Sequence, residues 1–234
     1  MTFENQTIVV TGAAGNLGRA VAASFHATSA RLILVDASME FLNNGFPGDD
    51  DRLVKVAVDL LDRVATLNAL AKVHAEFGKI DSLVALAGGF HMGDAVHDTP
   101  DDKWDLMHDL NVRTLIHSAA AVVPHMIEQG GGNIVTVGAN VALKGVAGMG
   151  AYCASKSTVM RLTETMAGEL RDKAINVNSV LPSIIDTPIN RADMPDVDPA
   201  LWVAPTDLAA VIMFLCSPQA SAVHGALVPV VGLS

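Results

Sequence analysis

The chain has 234 residues, half of them hydrophobic, and a formal net charge of −10. That length suits one large domain or two small ones and is ample for a sizeable core. Lys and Arg are scattered with no basic run, which excludes a nucleic-acid backbone and an anionic membrane surface as expected partners.

Two cysteines, Cys153 and Cys216, make no disulfide framework and have no CxxC or metal-ligand spacing. They fit a reducing cytosol. The opening MTFENQTIVVTG shows no basic segment followed by an apolar core, so a secretory signal is not expected. No apolar run reaches about 18 residues, the length of a membrane span. The expectation is a soluble, cytoplasmic protein.

In chain order, a strand over Thr7–Val10 leads into TGAAGNLGRA and a helix over Asn16–Thr28. Strands at Arg31–Val35 and Val54–Val58 follow, then a helix over Leu60–Phe77. A strand at Ser82–Ala87 precedes a long helix over Asp101–Glu128. Asn133–Val137 is the next strand, Gly150–Arg171 a helix and Ile175–Leu181 a strand. A helix at Thr206–Cys216 follows Pro205, and Ala226–Val231 closes the series. Several strands are apolar on both faces, as strands buried between helix layers must be. Strand–helix alternation over the whole length predicts an α/β fold, a doubly wound parallel sheet of about seven strands with helices on both faces. No repeat or low-complexity segment divides it, so residues 1–234 read as a single domain. The one long irregular stretch, Pro182 to Pro205, holds five prolines. A loop that long inside a compact domain points to function.

Between the first strand and first helix stand Gly12, Gly15 and Gly18, spaced three and three. A glycine-rich turn there lets backbone approach a pyrophosphate, and the helix N-terminus offers free N–H groups and a positive dipole end. Alone the triplet could be a tight turn; its place between strand and helix favours a dinucleotide. The second strand ends in Asp36, about 20 residues beyond the glycines, where an acid accepts hydrogen bonds from an adenosine ribose. It would repel a 2′-phosphate, so NAD(H) is expected over NADP(H). Tyr152, the only tyrosine, and Lys156 lie one helical turn apart on one face. A cation beside a phenol favours phenolate and lowers its pKa. The pair can serve as an acid/base.

Together these residues resemble the short-chain dehydrogenase/reductase family over essentially the whole chain. Thr11-Gly12 and the glycines are similar to its cofactor loop, and Asp59-Leu60 to its adenine-contacting segment. Ala85-Leu86-Ala87-Gly88 stands where the family often has Asn-Asn-Ala-Gly. Asn111 matches its helical asparagine, Tyr152 through Lys156 its YxxxK signature, and Pro182 through Thr187 the segment that packs on the nicotinamide. The resemblance implies a Rossmann-type fold and a homo-oligomer, a dimer or tetramer. It also implies catalytic roles for Asn111, Tyr152 and Lys156, with Lys156 binding the nicotinamide ribose and Asn111 holding a relay water. The implied cofactor-binding set is Gly12, Gly15, Asn16, Leu17, Gly18, Asp36, Asp59, Leu60, Ala87, Gly88, Pro182, Ile185 and Thr187. Asn16 stands at the usual middle glycine, and Ser183 at the glycine after Pro182. Ala139 stands where the family has its catalytic serine.

A methyl cannot donate a hydrogen bond to a developing alkoxide. Losing one such donor costs about 3–4 kcal/mol, roughly a hundred- to thousandfold in rate. Asn140 or His91 could substitute for it. The substrate-side candidates are therefore His91, Ala139, Asn140, Met149 and Trp202, with Pro182–Pro205 as a lid and Phe90 and Met92 as apolar wall. The leading expectation is an NAD(H)-dependent enzyme that interconverts a carbonyl and an alcohol on a small or medium, largely apolar substrate. The alternative is an NAD(H)-binding sensor or structural subunit with little or no turnover. No metal is called for.

Overall fold

The computed structural model describes residues 1–234. Seven strands form one sheet: β1 (Thr7–Thr11), β2 (Arg31–Asp36), β3 (Leu53–Ala57), β4 (Ser82–Ala85), β5 (Gly132–Val137), β6 (Ile175–Pro182) and β7 (Leu227–Val230). Every pairing is parallel, in the order β3-β2-β1-β4-β5-β6-β7. The order reverses between β1 and β4, so the helices leaving these two strands diverge to opposite faces and open a crevice at the strands' carboxyl ends.

Alternation along β1 and β2 divides the core. Ile8, Val10, Leu32 and Leu34 enter one cluster of 22 buried residues. Val9, Ile33 and Val35 enter a second cluster of 21 on the opposite face. Helix α1 (Asn16–His26) and the last long helix cover the first face through Val21, Phe25, Leu208 and Ile212. The second face is covered through Leu70, Val122, Met126 and Val159. These runs are apolar on both sides because both sides are roofed.

Helix α2 (Met39–Gly45) was not legible as a periodic segment; it has seven residues and buries only Leu42. Helix α3 (Arg63–Phe77) begins where Asp62 caps the Ala65 N–H at 2.9 Å and ends at Gly78, φ 76°. The helix expected over Asp101–Glu128 is three pieces: α4 (Asp101–His108), a π-helical turn over Asp109–Arg113, and α5 (Thr114–Gln129). Helix α6 spans Gly150–Leu170. The stretch expected to be irregular after β6 contains α7 (Pro188–Asp193), which Thr187 caps and Pro188 starts, and a 3₁₀ turn at Pro199–Leu201. Helix α8 (Pro205–Leu215) completes the set. No helix is long and apolar enough to cross a membrane.

Candidate active site

The β1–α1 turn is built by close backbone contact. Gly12 has φ 63°, and a Cβ there would sit 2.9 Å from the Ala87 nitrogen. A Cβ on Gly18 would lie 2.3 Å from the Gly12 carbonyl oxygen. Glycine is required at both places because the loop is pressed against α1 and the end of β4. Gly15, by contrast, is exposed, with only the Gly12 oxygen close to its Cβ position, at 3.3 Å. The outer face of the turn is therefore clear, at the N-terminus of α1, for an anion. Thr11 ties the turn to β4: its Oγ1 accepts from the Leu86 and Ala87 N–H groups at 3.1 and 3.2 Å.

Asp36 closes the far side. One carboxylate oxygen accepts from the Ala14 N–H at 3.0 Å and the other from the Ala37 N–H at 2.8 Å. The turn, the acid and the end of β4 line a single cleft of about 640 Å³. Ten of the thirteen residues expected to bind cofactor line it: Gly12, Gly15, Asn16, Leu17, Gly18, Asp36, Asp59, Leu60, Ala87 and Gly88. Pro182, Ile185 and Thr187 lie outside it, at the end of β6 and the turn into α7. Sequence reading did not include Arg19, Phe41, Leu110 or Thr114, which also line it. Arg19 follows Gly18 directly, and its Nη2 is engaged by Asn16 Oδ1 at 3.0 Å.

Asn111 sits in the π turn, 2% exposed. Its Oδ1 accepts from the Gly89 N–H at 2.9 Å, and its Nδ2 donates to the Gly89 carbonyl at 3.1 Å and to Ser155 Oγ at 3.0 Å. The extra residue in a π turn re-aims a side chain, and such turns concentrate at functional sites. Here it brings the amide between the β4 loop and α6. Ser155 in turn donates to the Tyr152 carbonyl at 2.8 Å. This link was not foreseen, although the serine lies inside YCASK.

Lys156 is 7% exposed and donates to the Val137 carbonyl at 2.9 Å. A Cβ on Gly88 would lie 3.3 Å from its Nζ and 2.6 Å from Asn111 Oδ1. Lysine, asparagine and the cleft wall thus meet at one point. Burial pulls the Lys156 pKa down to about 8. It also pushes the Tyr152 phenol up to about 12, with the neighbouring Cys153 adding to the shift. In the chain by itself the phenol is shifted up rather than down: loss of water around it is the largest cause, and the Lys156 ammonium is turned to the Val137 carbonyl. The Phe90 ring packs edge-on to Tyr152, centroids 4.8 Å apart.

Ala139, 2% exposed, packs with Ala142, Cys153, Met160 and Leu181 in a small apolar cluster that Tyr152, Val141, Val146 and Met149 flank. Met149 and Tyr152 thus pack against the same cluster. Asn140 is half-buried at the head of a 3₁₀ turn over Asn140–Leu143. His91 bonds through Nε2 to Asp94 Oδ2 at 2.8 Å. Trp202 is 5% exposed, so it packs under the loop, and its indole N–H has no partner. Chemically, a buried ammonium and a buried amide meet at Gly88, in the wall of a cleft whose turn can take an anion and whose far end holds a carboxylate, and the phenol stands one helical turn from that ammonium.

Residues 6–198 match the family model described as short chain dehydrogenase. The chain is 32% identical over 238 residues to 2-(R)-hydroxypropyl-CoM dehydrogenase of Xanthobacter autotrophicus, with 95% of each chain covered. It is 32% identical over 241 residues to meso-2,3-butanediol dehydrogenase of Serratia marcescens, covering 99% of this chain and 95% of that one. A solved NAD+-bound xylitol dehydrogenase superposes with a TM-score of 0.92 at 25% identity, covering 99% of this chain and 100% of the other. A family model over most of the length, full-length relatives and a shared fold lead to one assignment: the chain belongs to the short-chain dehydrogenase/reductase family and is an oxidoreductase.

Proposed function

We propose that the chain is an NAD(H)-dependent enzyme that interconverts a carbonyl and an alcohol on a small or medium, largely apolar substrate. The observation that carries this reading is the meeting of buried Lys156 and Asn111 at Gly88, in the wall of the cleft, with Tyr152 one helical turn from Lys156. The β1–α1 turn fits a pyrophosphate, because its outer face at Gly15 is open and the N–H groups of α1 point there. Asp36 would hold the adenosine ribose, and Asp59 and Leu60 the adenine side. Ala87, Gly88, Pro182, Ile185 and Thr187 would flank the nicotinamide. The bound dinucleotide supplies or accepts a hydride.

The remaining work falls to the chain. Tyr152 gives a proton to the carbonyl oxygen in reduction and takes it back in oxidation. As a phenol at about 12 it is a weak acid, so it needs positive charge alongside to ionise. Lys156, at about 8, supplies that charge below this pH and exchanges a proton readily near neutrality. Asn111 keeps the β4 loop against α6 and would hold a water that links Lys156 to solvent. Buried Ala139 and the partly buried Val141, Val146 and Met149, which share one apolar cluster with Tyr152, would give the substrate side its apolar wall.

Tyr152→Phe tests the role directly. It removes the phenolic proton and keeps the ring packed on Phe90. Turnover followed by NADH absorbance over a panel of carbonyls and quinones should fall about 10²–10⁴-fold, with NADH affinity near wild type. Wild-type turnover in this variant would remove Tyr152 as the acid. Cofactor choice is tested by titrating NADH and NADPH against the chain's fluorescence. NADH should bind about tenfold tighter or more, because Asp36 opposes a 2′-phosphate. Equal affinity would return Asp36 to a structural role and make Arg19 the phosphate contact.

A second reading, an NAD(H)-binding sensor or structural subunit with little turnover, draws on the methyl of Ala139 beside Tyr152. Ala139→Ser separates the two. For an enzyme whose missing donor is replaced by Asn140 or His91, the best substrate's rate stays level or falls. In the Ala139 background, Asn140→Ala or His91→Ala then lowers it. A gain towards the thousandfold a full oxyanion donor can supply, with no loss from changing Asn140 or His91, favours the second reading. The new hydroxyl enters a buried apolar cluster, so a stability loss of about 1–3 kcal/mol is expected alongside.

A further inference from the structure

One wall of the cleft is the turn between β3 and α3, where Val58, Asp59, Leu60 and Leu61 line it. Bonds within the turn and to its strand neighbour shape it. The Val58 N–H donates to the Asp36 carbonyl at 2.9 Å, and the Asp62 N–H to the Asp59 carbonyl at 3.0 Å. The Leu61 N–H donates to Asp59 Oδ1 at 2.9 Å. The Leu60 carbonyl is held from another element. His117, on α5, donates to it from Nδ1 at 2.7 Å. A carbonyl oxygen only accepts, so Nδ1 carries the proton.

The contact is buried on both sides, with His117 8% and Leu60 6% exposed. Burying an imidazole costs free energy unless it is hydrogen-bonded, and a bond made away from water holds its partner more firmly. The Leu60 carbonyl and the Leu61 N–H belong to one planar peptide. Fixing the first therefore fixes the second, and with it the Asp59 carboxylate that the Leu61 N–H engages. Thr114 stands three residues before His117 on the same face of α5 and lines the cleft beside Leu60. Helix α5 thus presents Thr114 to the cleft and, one turn further on, clamps the backbone of the adjoining wall.

We propose that His117 positions the adenine subsite: by clamping the Leu60–Leu61 peptide it orients Asp59 and Leu60 for the adenine end of the dinucleotide. His117 is a positioning residue, acting on the cofactor through that peptide. The inference rests on the cofactor reading above, in which Asp59 and Leu60 take the adenine side. It involves no bond-making step.

The test titrates NADH and its two halves, AMP and NMNH, against wild type and three variants. His117→Leu keeps an apolar side chain there and loses the donor. It should weaken AMP and NADH binding about tenfold, the worth of one good hydrogen bond, and leave NMNH within about twofold of wild type. His117→Asn, whose amide N–H can stand in for Nδ1–H, should recover most of the AMP affinity. Ser118→Ala removes a buried hydroxyl that donates to the Thr114 carbonyl within α5, and should leave AMP binding at the wild-type level. The ratio of AMP to NMNH affinity within one variant does not depend on the fraction folded. A ratio unmoved by His117→Leu, no recovery with His117→Asn, or a loss in Ser118→Ala as large as in His117→Leu overturns the proposal. A wild type that binds NADH but not AMP does so too, and leaves the cofactor reading intact. A wild type that binds no NADH overturns both.

Discussion

Lys156 carries a cost that sequence alone does not show. Its pKa is depressed by burial to about 8 from 10.5, so keeping it charged in the fold costs about 3 kcal/mol at neutral pH. Below about pH 8 folded and unfolded chains both hold that proton and the cost is constant. Between about 8 and 10.5 the unfolded chain holds more protons, so stability rises with pH. Tyr152 acts oppositely at higher pH. Its phenol is raised to about 12 from 10.0, so above 10 the unfolded chain loses the proton first and stability falls. The lysine's contribution is therefore cleanest from about pH 8 to 10. Lys156→Met should raise the unfolding free energy at pH 7, by up to about 3 kcal/mol, and flatten the rise over that window. Chemical denaturation of both proteins across pH 7 to 10 measures it; parallel curves would mean that Lys156 is not buried as an ion. The identities of Tyr152, Lys156 and Asp36 as site candidates were legible from residue type and spacing. The direction of the Tyr152 shift was not, since it depends on how much water the fold removes.

At the scale of elements, strands were legible because burial on both faces leaves continuous apolar runs such as TIVVT and RLILVD. The Asp101–Glu128 region reads as one helix because a π turn changes the hydrogen-bond register without changing composition. Asn111 owes its position to that turn, so the feature least visible in sequence places a proposed catalytic residue. Helix α7 did leave a signal: Thr187-Pro188 is a cap followed by a proline at the first helical position. Five prolines in the stretch masked it. The chain's last residues also hold this loop at both ends, which periodicity could not reveal. Ser183 Oγ donates to the Val231 carbonyl at 2.8 Å, and the Leu233 N–H donates to the Leu201 carbonyl at 3.0 Å. The serine after Pro182, in place of the family's glycine, thus ties β6 to the strand beside it.

At the scale of the whole molecule, the cleft lies where the sheet's two halves diverge, so one ligand touches elements from β1 to α5. Binding there should stabilise the entire fold and not one loop. At a free NADH concentration about a hundred times Kd the gain is about 2.7 kcal/mol. For a chain of this size each kcal/mol moves Tm by about 2–4 °C, so NADH should raise Tm by about 5–10 °C. Gly18 is the joint on which this depends, because any Cβ meets the Gly12 oxygen at 2.3 Å and the Ala13 oxygen at 2.6 Å, both backbone atoms that cannot swing aside. Gly18→Ala must push α1 away from the turn, at a cost of about 1–3 kcal/mol or more. It should lower Tm without ligand and also shrink the NADH increment, since the displaced helix N-terminus no longer faces the pyrophosphate site. Gly168→Ala is the control: its Cβ meets nothing within 4 Å inside α6, so it should gain about 0.5–1 kcal/mol and keep the full increment. Differential scanning fluorimetry of the three proteins, with and without NADH, reads both quantities at once. A Gly18→Ala protein that melts lower yet keeps the wild-type increment would detach the β1–α1 turn from cofactor binding and leave it a purely structural joint.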